Sequence, residues 1–435
     1  MNAAIVGGGI TGLSIAYLLS SKGDKVTLFE KSPRLGGLLG SFRIGNVWLE
    51  KYFHHIFLSD TSIRRVISEI GLEKDLFWKV TPMGFYTHGK IFPFDQPLDL
   101  LQFSALSFMD RLRFGFRIWK TGHMRHGIEL DSITVKEWVE RTWGGQIYEK
   151  FWLPLMQGKF GEAADQISAA WLWGRIYARS NSRRSGKEKL GYLRGGFVRI
   201  FEAMGEKAKS NGVILKLHSE VSEIGRTKED KWKIISNHES SLFDVVILAT
   251  PSPIAIDLCP QMPLDEKTAH SKIRYQGILC MPIIMTKPLS SIYWLNVGDR
   301  SIPFTGMIEQ TNFIPNQDYG NQFVTYLFNY LPIDHPWMKE SKKVVFERYE
   351  QGLKTIFPSY SRDQIHNIMI FRDQYATPIY DVEYLKKMPP MASSLKGLYY
   401  ANTAHIFPHD RNMNFSIELA ERVVKKIKEF KKLHT

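Results

Sequence analysis

The stretch LEKYFHHIFLSD, residues 49–60, sets two adjacent histidines among Tyr52, Phe53 and Phe57. Side chains of these types could bind a metal, exchange a proton near neutral pH, or wall a pocket. Geometry disfavours the metal: neighbours in an extended segment point to opposite faces, so His54 and His55 cannot readily share one ion. His123 and His126 stand one helical turn apart without an acidic companion, and Cys259 and Cys280 have neither metal-type spacing nor a nearby histidine. No metal site is expected, and the cysteines read as buried thiols. The aromatic residues read as core rather than as a cage.

A second constellation lies at the amino end. Gly7-x-Gly9-x-x-Gly12 follows an apolar run at residues 3–6 and precedes a helical pattern through Leu13, Ala16, Tyr17 and Leu19. A second predicted strand, residues 26–29, ends on Glu30, 18 positions past the last glycine. That strand, turn and helix are the context in which such glycines cradle a dinucleotide. Gly7 permits the tight turn, Gly9 admits a pyrophosphate against the backbone, and Gly12 lets helix and strand pack closely. The helix start then offers free N–H groups to the phosphates, and Glu30 is placed to accept hydrogen bonds from the adenosine ribose.

The chain continues EKSPRLGGLLGSF, and Glu30-x-x-x-Arg34-x-Gly36-Gly37 resembles the extended motif of the flavin-containing amine oxidase and protoporphyrinogen oxidase superfamily. The resemblance implies FAD rather than NAD, approached by Ile10, Thr11, Lys31, Arg34, Gly36 and Gly37. It also implies an α/β fold: a Rossmann-like FAD domain of the two-dinucleotide-binding type, with an inserted α+β substrate domain and a helical region. Members of this superfamily return twice to the FAD domain. Residues 212–253 supply the first return as short strands with a turn at TKED, then a buried strand at 245–248. The resemblance places the Val221 backbone against adenine and Ala249 beside the cofactor. Residues 397–427 supply the second, with Asn402 near the ribityl and pyrophosphate groups, where many relatives carry an acid. Asp410 and Met413 fall where a helix starting near residue 412 would meet the flavin pyrimidine edge. Asp410 also reads as an acidic cap with no cofactor role. The expected domains are residues 1–60, 211–259 and 397–435 for FAD, a helix-rich region at 61–210, and a mixed-sheet substrate domain at 260–396.

The histidines follow the Gly36-Gly37 pair by about fifteen residues, which should bring them to the ring end of the cofactor. FHHIFLSD followed by FYTHGKIFPFDQPLDLLQF is similar to UDP-galactopyranose mutases, where a His-Ile-Phe-His segment lies by the flavin ring. His55-Ile56-Phe57 matches, but Leu58 replaces the second histidine, and the later mutase segment of closely spaced tyrosines and acids is only loosely echoed by FPHDRNMN. His55 is therefore the candidate catalytic residue, positioning substrate or accepting a proton; a buried structural histidine is the other reading. Alternation turns His54 away. The leading function is an FAD-dependent oxidoreductase removing hydride from a C–N or C–C bond of a small molecule. The alternative is a nonredox flavin-dependent nucleotide-sugar isomerase of the mutase type, and a third reading is a flavin-bearing subunit without turnover.

These sites sit in a chain of 435 residues with 57 Lys and Arg against 44 Asp and Glu, a net charge of +13. No apolar run reaches the roughly 18 residues needed to cross a bilayer. The first strand starts almost at Met1 without a basic leader, so a cytoplasmic protein is expected, with peripheral contact at the inner membrane surface left open. The surplus charge has two concentrations. One is the carboxyl end, where Lys425, Lys426, Lys428, Lys431 and Lys432 surround Val424, Ile427 and Phe430. The other is Arg111, Arg113, Arg117, Lys120 and Arg125 among Phe108, Phe114, Phe116 and Trp119. The second fits a membrane-surface segment taking a lipophilic substrate, a basic pocket for a diphosphate, or an amphipathic helix on the core. Dispersed basic residues without a recognition motif argue against nucleic acid. Oligomeric state is not readable.

Overall fold

The computed structural model describes residues 1–184 and 187–433. Its first layer is a five-stranded sheet in the order Ile214–Lys216, Lys25–Phe29, Asn2–Val6, Val245–Leu248 and Leu398–Tyr400. All four neighbouring pairs are parallel. Both faces are covered, which is why these strands are apolar almost throughout. Period-two alternation divides them between two cores. Ala3, Ile5, Val245 and Ile247 face helices Ile10–Ser20, Val198–Ser210 and Met413–Leu433. Ala4, Val6, Val246 and Leu248 face Trp232 and Ile234 of a three-stranded antiparallel meander, Val221–Arg226, Trp232–Ser236 and Glu239–Phe243. The first turn of that meander falls at TKED, closed by Thr227 N–H donating to the Lys231 carbonyl at 2.8 Å.

The second layer is an eight-stranded mixed sheet built on Tyr275–Met285 and Phe323–Pro332. Every residue of Tyr275–Met285 is buried. Ile278, Cys280 and Ile284 face the nucleotide-domain core, while Leu279, Met281 and Ile283 pack with Val345, Tyr349 and Leu353 of helix Lys342–Ile356.

The segment expected to be a separate helix-rich region is less self-contained. Met83–Thr87 and Lys90–Pro93 form a hairpin whose first strand pairs in parallel with Trp294–Val297, so the region extends the substrate sheet. The signal was His88-Gly89: φ is 52° and 69° there. Two successive positive φ values make the tight hairpin turn whose twist matches its strands. Helix Val198–Ser210 packs on Ile10–Ser20 and thus belongs to the nucleotide domain rather than to the helical region. So does Thr61–Glu69, which packs on Met413–Leu433, whereas helices Phe108–Gly122, Val135–Thr142, Leu153–Phe160 and Ala169–Ser180 enclose an aromatic core containing Phe103, Phe114, Trp143 and Trp171. Cys259 and Cys280 are buried and unpaired. Of the lysine-rich carboxyl end, residues 434 and 435 lie outside the described residues, as do the side chains of Phe430, Lys431 and Lys432.

Gly12 faces the carbonyl of Gly7 so closely that an added Cβ would lie 2.0 Å from that oxygen. Gly12→Ala should therefore lower stability by about 3 kcal/mol through overpacking, against the gain of about 1 kcal/mol that alanine brings to an ordinary helix interior. Thermal melting of the two proteins checks this, and an unchanged or raised midpoint would show that the helix can move away from the strand.

Candidate active site

The parallel strands end together, so the loops after residues 6, 29, 248 and 400 share one edge of the sheet, where open parallel sheets bind ligands. Gly7 makes the first turn at φ +109°, donating its N–H to the Phe29 carbonyl at 2.9 Å; a Cβ there would meet the Ala249 carbonyl oxygen at 2.8 Å. Gly9 stands just before helix Ile10–Ser20, and a Cβ built on it meets nothing within 4 Å. The space beside Gly9 is thus open to a ligand, while the space beside Gly7 and Gly12 is filled by protein. Ile10 is buried, Thr11 is half-buried, and no acidic side chain occupies this first turn to compete with an anion.

Glu30 accepts hydrogen bonds from the N–H groups of Gly8 at 2.7 Å and Ser32 at 2.8 Å. A carboxylate has about four acceptor directions, so two stay free for a ribose. Lys31 and Arg34 are exposed, and the Arg34 guanidinium lies over Trp48, 4.4 Å from the ring centre. Gly36 and Gly37 fold back on the glycine turn. Gly36 N–H donates to the Gly8 carbonyl at 2.9 Å, and a Cβ on Gly37 would lie 3.3 Å from Gly9 Cα. Val221 starts its strand two residues after Ser219, whose N–H donates to the Glu30 carbonyl at 2.9 Å. Asn402 spends its side chain within the protein. It donates to the Thr250 carbonyl at 2.9 Å and accepts from Ala404 N–H at 3.0 Å, tying two loop ends together.

Past this cradle lies a cavity of about 720 Å³ between the mixed sheet and the helical region. Both His54 and His55 line it. The expected alternation does not hold because residues 51–55 form an irregular turn and the strand begins only at Ile56. His54 Nδ1–H donates to the Tyr52 carbonyl at 2.7 Å. His55 packs edge-on against Phe57 and Trp294, with Nδ1 3.4 Å from the Tyr293 hydroxyl. Burial, reinforced by Arg411, pulls His54 down to about 4. Burial, then Arg179, His54 and Arg175, pulls His55 down to about 3. Both rings are therefore neutral at ordinary pH, which makes each a hydrogen-bonding group and His55 a weaker base than a free imidazole.

Four basic side chains, Lys159, Arg175, Arg179 and Arg411, and one carboxylate, Asp410, line the end of the cavity near these histidines. Asp410 accepts from Lys159 Nζ and from Arg175. Burial pushes its carboxyl up, but Lys159, Arg175 and Arg411 overcome that and hold it at about 2. Burial draws Lys159 down to about 7 against the opposing pull of Asp410. Asp410 therefore anchors the helical region instead of capping the last helix. The cap is Asn412: Phe415 N–H donates to its Oδ1 at 2.8 Å, and its amide donates to Asp60 at 3.3 Å. Asp60 in turn accepts from Phe57 N–H at 2.8 Å, joining the histidine segment to the helix start. Met413, buried, is the first helical residue. Sequence reasoning missed Asn412, although an asparagine just before an apolar helical run is a recognised start signal. It also missed Lys159, for which no local signal exists.

The glycine loop runs into the cavity wall: Gly40 accepts from Lys51 N–H at 2.8 Å, and Tyr52, Phe53, His54, His55 and Phe57 line the cavity. Comparison with known proteins gives this arrangement a family. The coproporphyrinogen III oxidase of Staphylococcus aureus is 26% identical over 298 residues, covering 60% of this chain and 63% of that protein. The mitochondrial protoporphyrinogen oxidase of Nicotiana tabacum is 20% identical over 410 residues, covering 87% and 74%. The solved structure of reduced UDP-galactopyranose mutase superposes with a TM-score of 0.76 at 15% identity, covering 98% of this chain and 95% of that one, which shows a shared fold. The profile described as Flavin containing amine oxidoreductase matches residues 10–414, nearly the whole chain from the helix behind the glycine turn to the start of the last helix. This chain belongs to that family.

Proposed function

We propose that the protein is an FAD-dependent oxidoreductase that removes hydride from a carbon–carbon unit of a small, lipophilic, anionic substrate. The cradle suits FAD. Its open space lies at Gly9, its walls are backbone N–H groups and glycines, and Glu30 keeps free acceptor directions. When bound there, FAD supplies the acceptor for the two electrons that leave the substrate as hydride. The chain supplies binding, orientation and exclusion of water. The amide groups at the start of helix Met413–Leu433, organised by the Asn412 cap, provide positive potential at the ring end of the site.

One observation carries the substrate reading: cationic groups gather at one end of the cavity, and the opposite end is aromatic. Arg179 is paired with the buried carboxylate of Glu188, but Lys159, Arg175 and Arg411 still outnumber Asp410, so a protonated amine would enter against repulsion, and a carboxylate or phosphate would be drawn in. This favours C–C over C–N oxidation. Toward the other end the walls are Phe85, Phe94, Leu100, Phe114, Phe151 and Trp152, which offer little hydrogen bonding to a nucleoside and suit an apolar body. That wall also weighs against the isomerase reading, which the fold shared with the mutase keeps as the second hypothesis. His54 and His55, neutral and hydrogen-bonded, orient the substrate at the junction.

Three outcomes are expected. The protein should purify yellow with noncovalent FAD, and Gly9→Val should weaken FAD binding at least about tenfold by filling the space against the pyrophosphate; full occupancy in that variant would overturn the cradle. Under anaerobic conditions the true substrate should bleach the oxidised flavin stoichiometrically, whereas activity only after dithionite reduction, returning an isomer, would establish the second reading. Lys159 is charged below about pH 7 and loses its charge above it, so affinity for an anionic substrate should fall as pH rises through that value. Lys159→Arg should flatten this limb, and Lys159→Met should raise KM about tenfold at pH 6, the worth of one charged hydrogen bond. A limb near 6.5 that survives in Lys159→Arg would return the titration to a histidine.

A further inference from the structure

Helix Phe108–Gly122 has three distinct faces. At about 100° per residue, Phe108, Met109, Leu112, Phe116 and Trp119 fall within an arc of roughly 100°. All five are exposed, from 46% for Leu112 to 66% for Met109. Arg113 and Lys120, both exposed, project along one edge of that arc, with half-buried Arg117 beside them. The opposite face is packed inward and supplies Phe114, Gly115 and Ile118 to the wall of the large cavity. The turn just before the helix, Pro97–Gln102, repeats the division. Leu98 is 72% exposed, whereas Pro97 and Leu100 line the cavity. Trp119 does both, being 59% exposed and part of the wall, which places the mouth of the cavity beside it.

We propose that this face docks on an anionic lipid surface and seats the cavity mouth against the bilayer, so that a lipophilic substrate enters from the membrane. The charge is complementary. Residues 97–126 contain Arg111, Arg113, Arg117, Lys120 and Arg125 against Asp99 and Asp110, and Asp110 is engaged by Ser107 and Arg113. An apolar stripe bordered by basic residues on a helix lying flat is the pattern of interfacial binding. Among the described residues no helix is long and apolar enough to cross a membrane, so the contact is peripheral. Continuity between stripe and mouth singles out lipid over a protein partner, because the same helix that meets the surface forms the entry.

The test is sedimentation of the FAD-loaded protein with vesicles, which needs no turnover and so stands apart from the substrate reading. Vesicles of phosphatidylcholine with about one-third phosphatidylglycerol should bind at least about tenfold more protein than phosphatidylcholine alone, and the difference should shrink with salt. The quadruple variant Phe108→Ser, Met109→Ser, Leu112→Ser, Phe116→Ser should lose binding while keeping its flavin content and melting temperature. Should that variant unfold, Arg113→Gln with Lys120→Gln decides, and is expected to weaken anionic binding several-fold. No binding by the unaltered protein, or undiminished binding by the folded variants, overturns the proposal. So does a lipid-free dimer that becomes monomeric in the quadruple variant, which would make the face a contact between copies of the chain.

Discussion

Helix Ile10–Ser20 can lie against strand Asn2–Val6 only because Gly12 has no side chain opposite the carbonyl of Gly7. A single methyl there would sit 2.0 Å from that oxygen. This approach sets the direction of the helix, and with it the N–H groups at its start. It also fixes Gly9, whose Cβ side faces open space, and lets Gly36 and Gly37 close over the turn. Ala249, at the end of the neighbouring strand, packs against both Gly7 and Gly12, so the first chain return depends on the same contact. A cradle formed in this way is made of backbone, and what it offers to a phosphate are groups that every sequence possesses but only this geometry exposes.

The other end of the site is held by side chains. Asp410 draws Lys159 and Arg175 from two helices of the inserted region onto the loop leading to the last helix. Asp60 draws Asn412 onto the end of the histidine segment. Three separate stretches of chain are thereby joined within one small volume, and with Arg179 held by Glu188 the positive charge of Lys159, Arg175 and Arg411 exceeds what Asp410 alone can neutralise. Removing charges from water is costly unless they are paired, so a cavity wall of this kind attracts an anion. The neutral state of His54 and His55 follows from the same field: burial and surrounding guanidinium groups both oppose a further proton.

The inserted region shows how one set of residues can serve packing and access together. Phe114 and Ile118 give the mouth helix its inward face, while Leu112 and Phe116, two positions before each or after the first, face outward. A helix apolar on two sides stays in place through its inner contacts and leaves its outer stripe unpartnered within the monomer. Exposed apolar side chains grouped in this way mark a contact surface, whereas scattered ones need no explanation.

The sequence by itself determined the parts of this protein that depend on local backbone. The glycine spacing with Glu30, the strand at residues 245–248, the turn at TKED and the helix start near residue 412 were all legible, because turns, caps and period-two burial leave their marks within a few residues. The His88-Gly89 hairpin has a local mark too, a glycine at the second of two positive-φ positions. Which way His54 and His55 point was decided only by the tertiary structure, since residues 51–55 adopt an irregular turn held by distant partners: Tyr192 and Phe197 fix the Glu50 carboxylate, and Tyr326 its carbonyl. The same holds for Lys159 and Asp410, 251 positions apart. An ion pair of that separation has no period and no neighbouring signal, and burial, which sets its charge state, is a property of the assembled fold rather than of any stretch of chain.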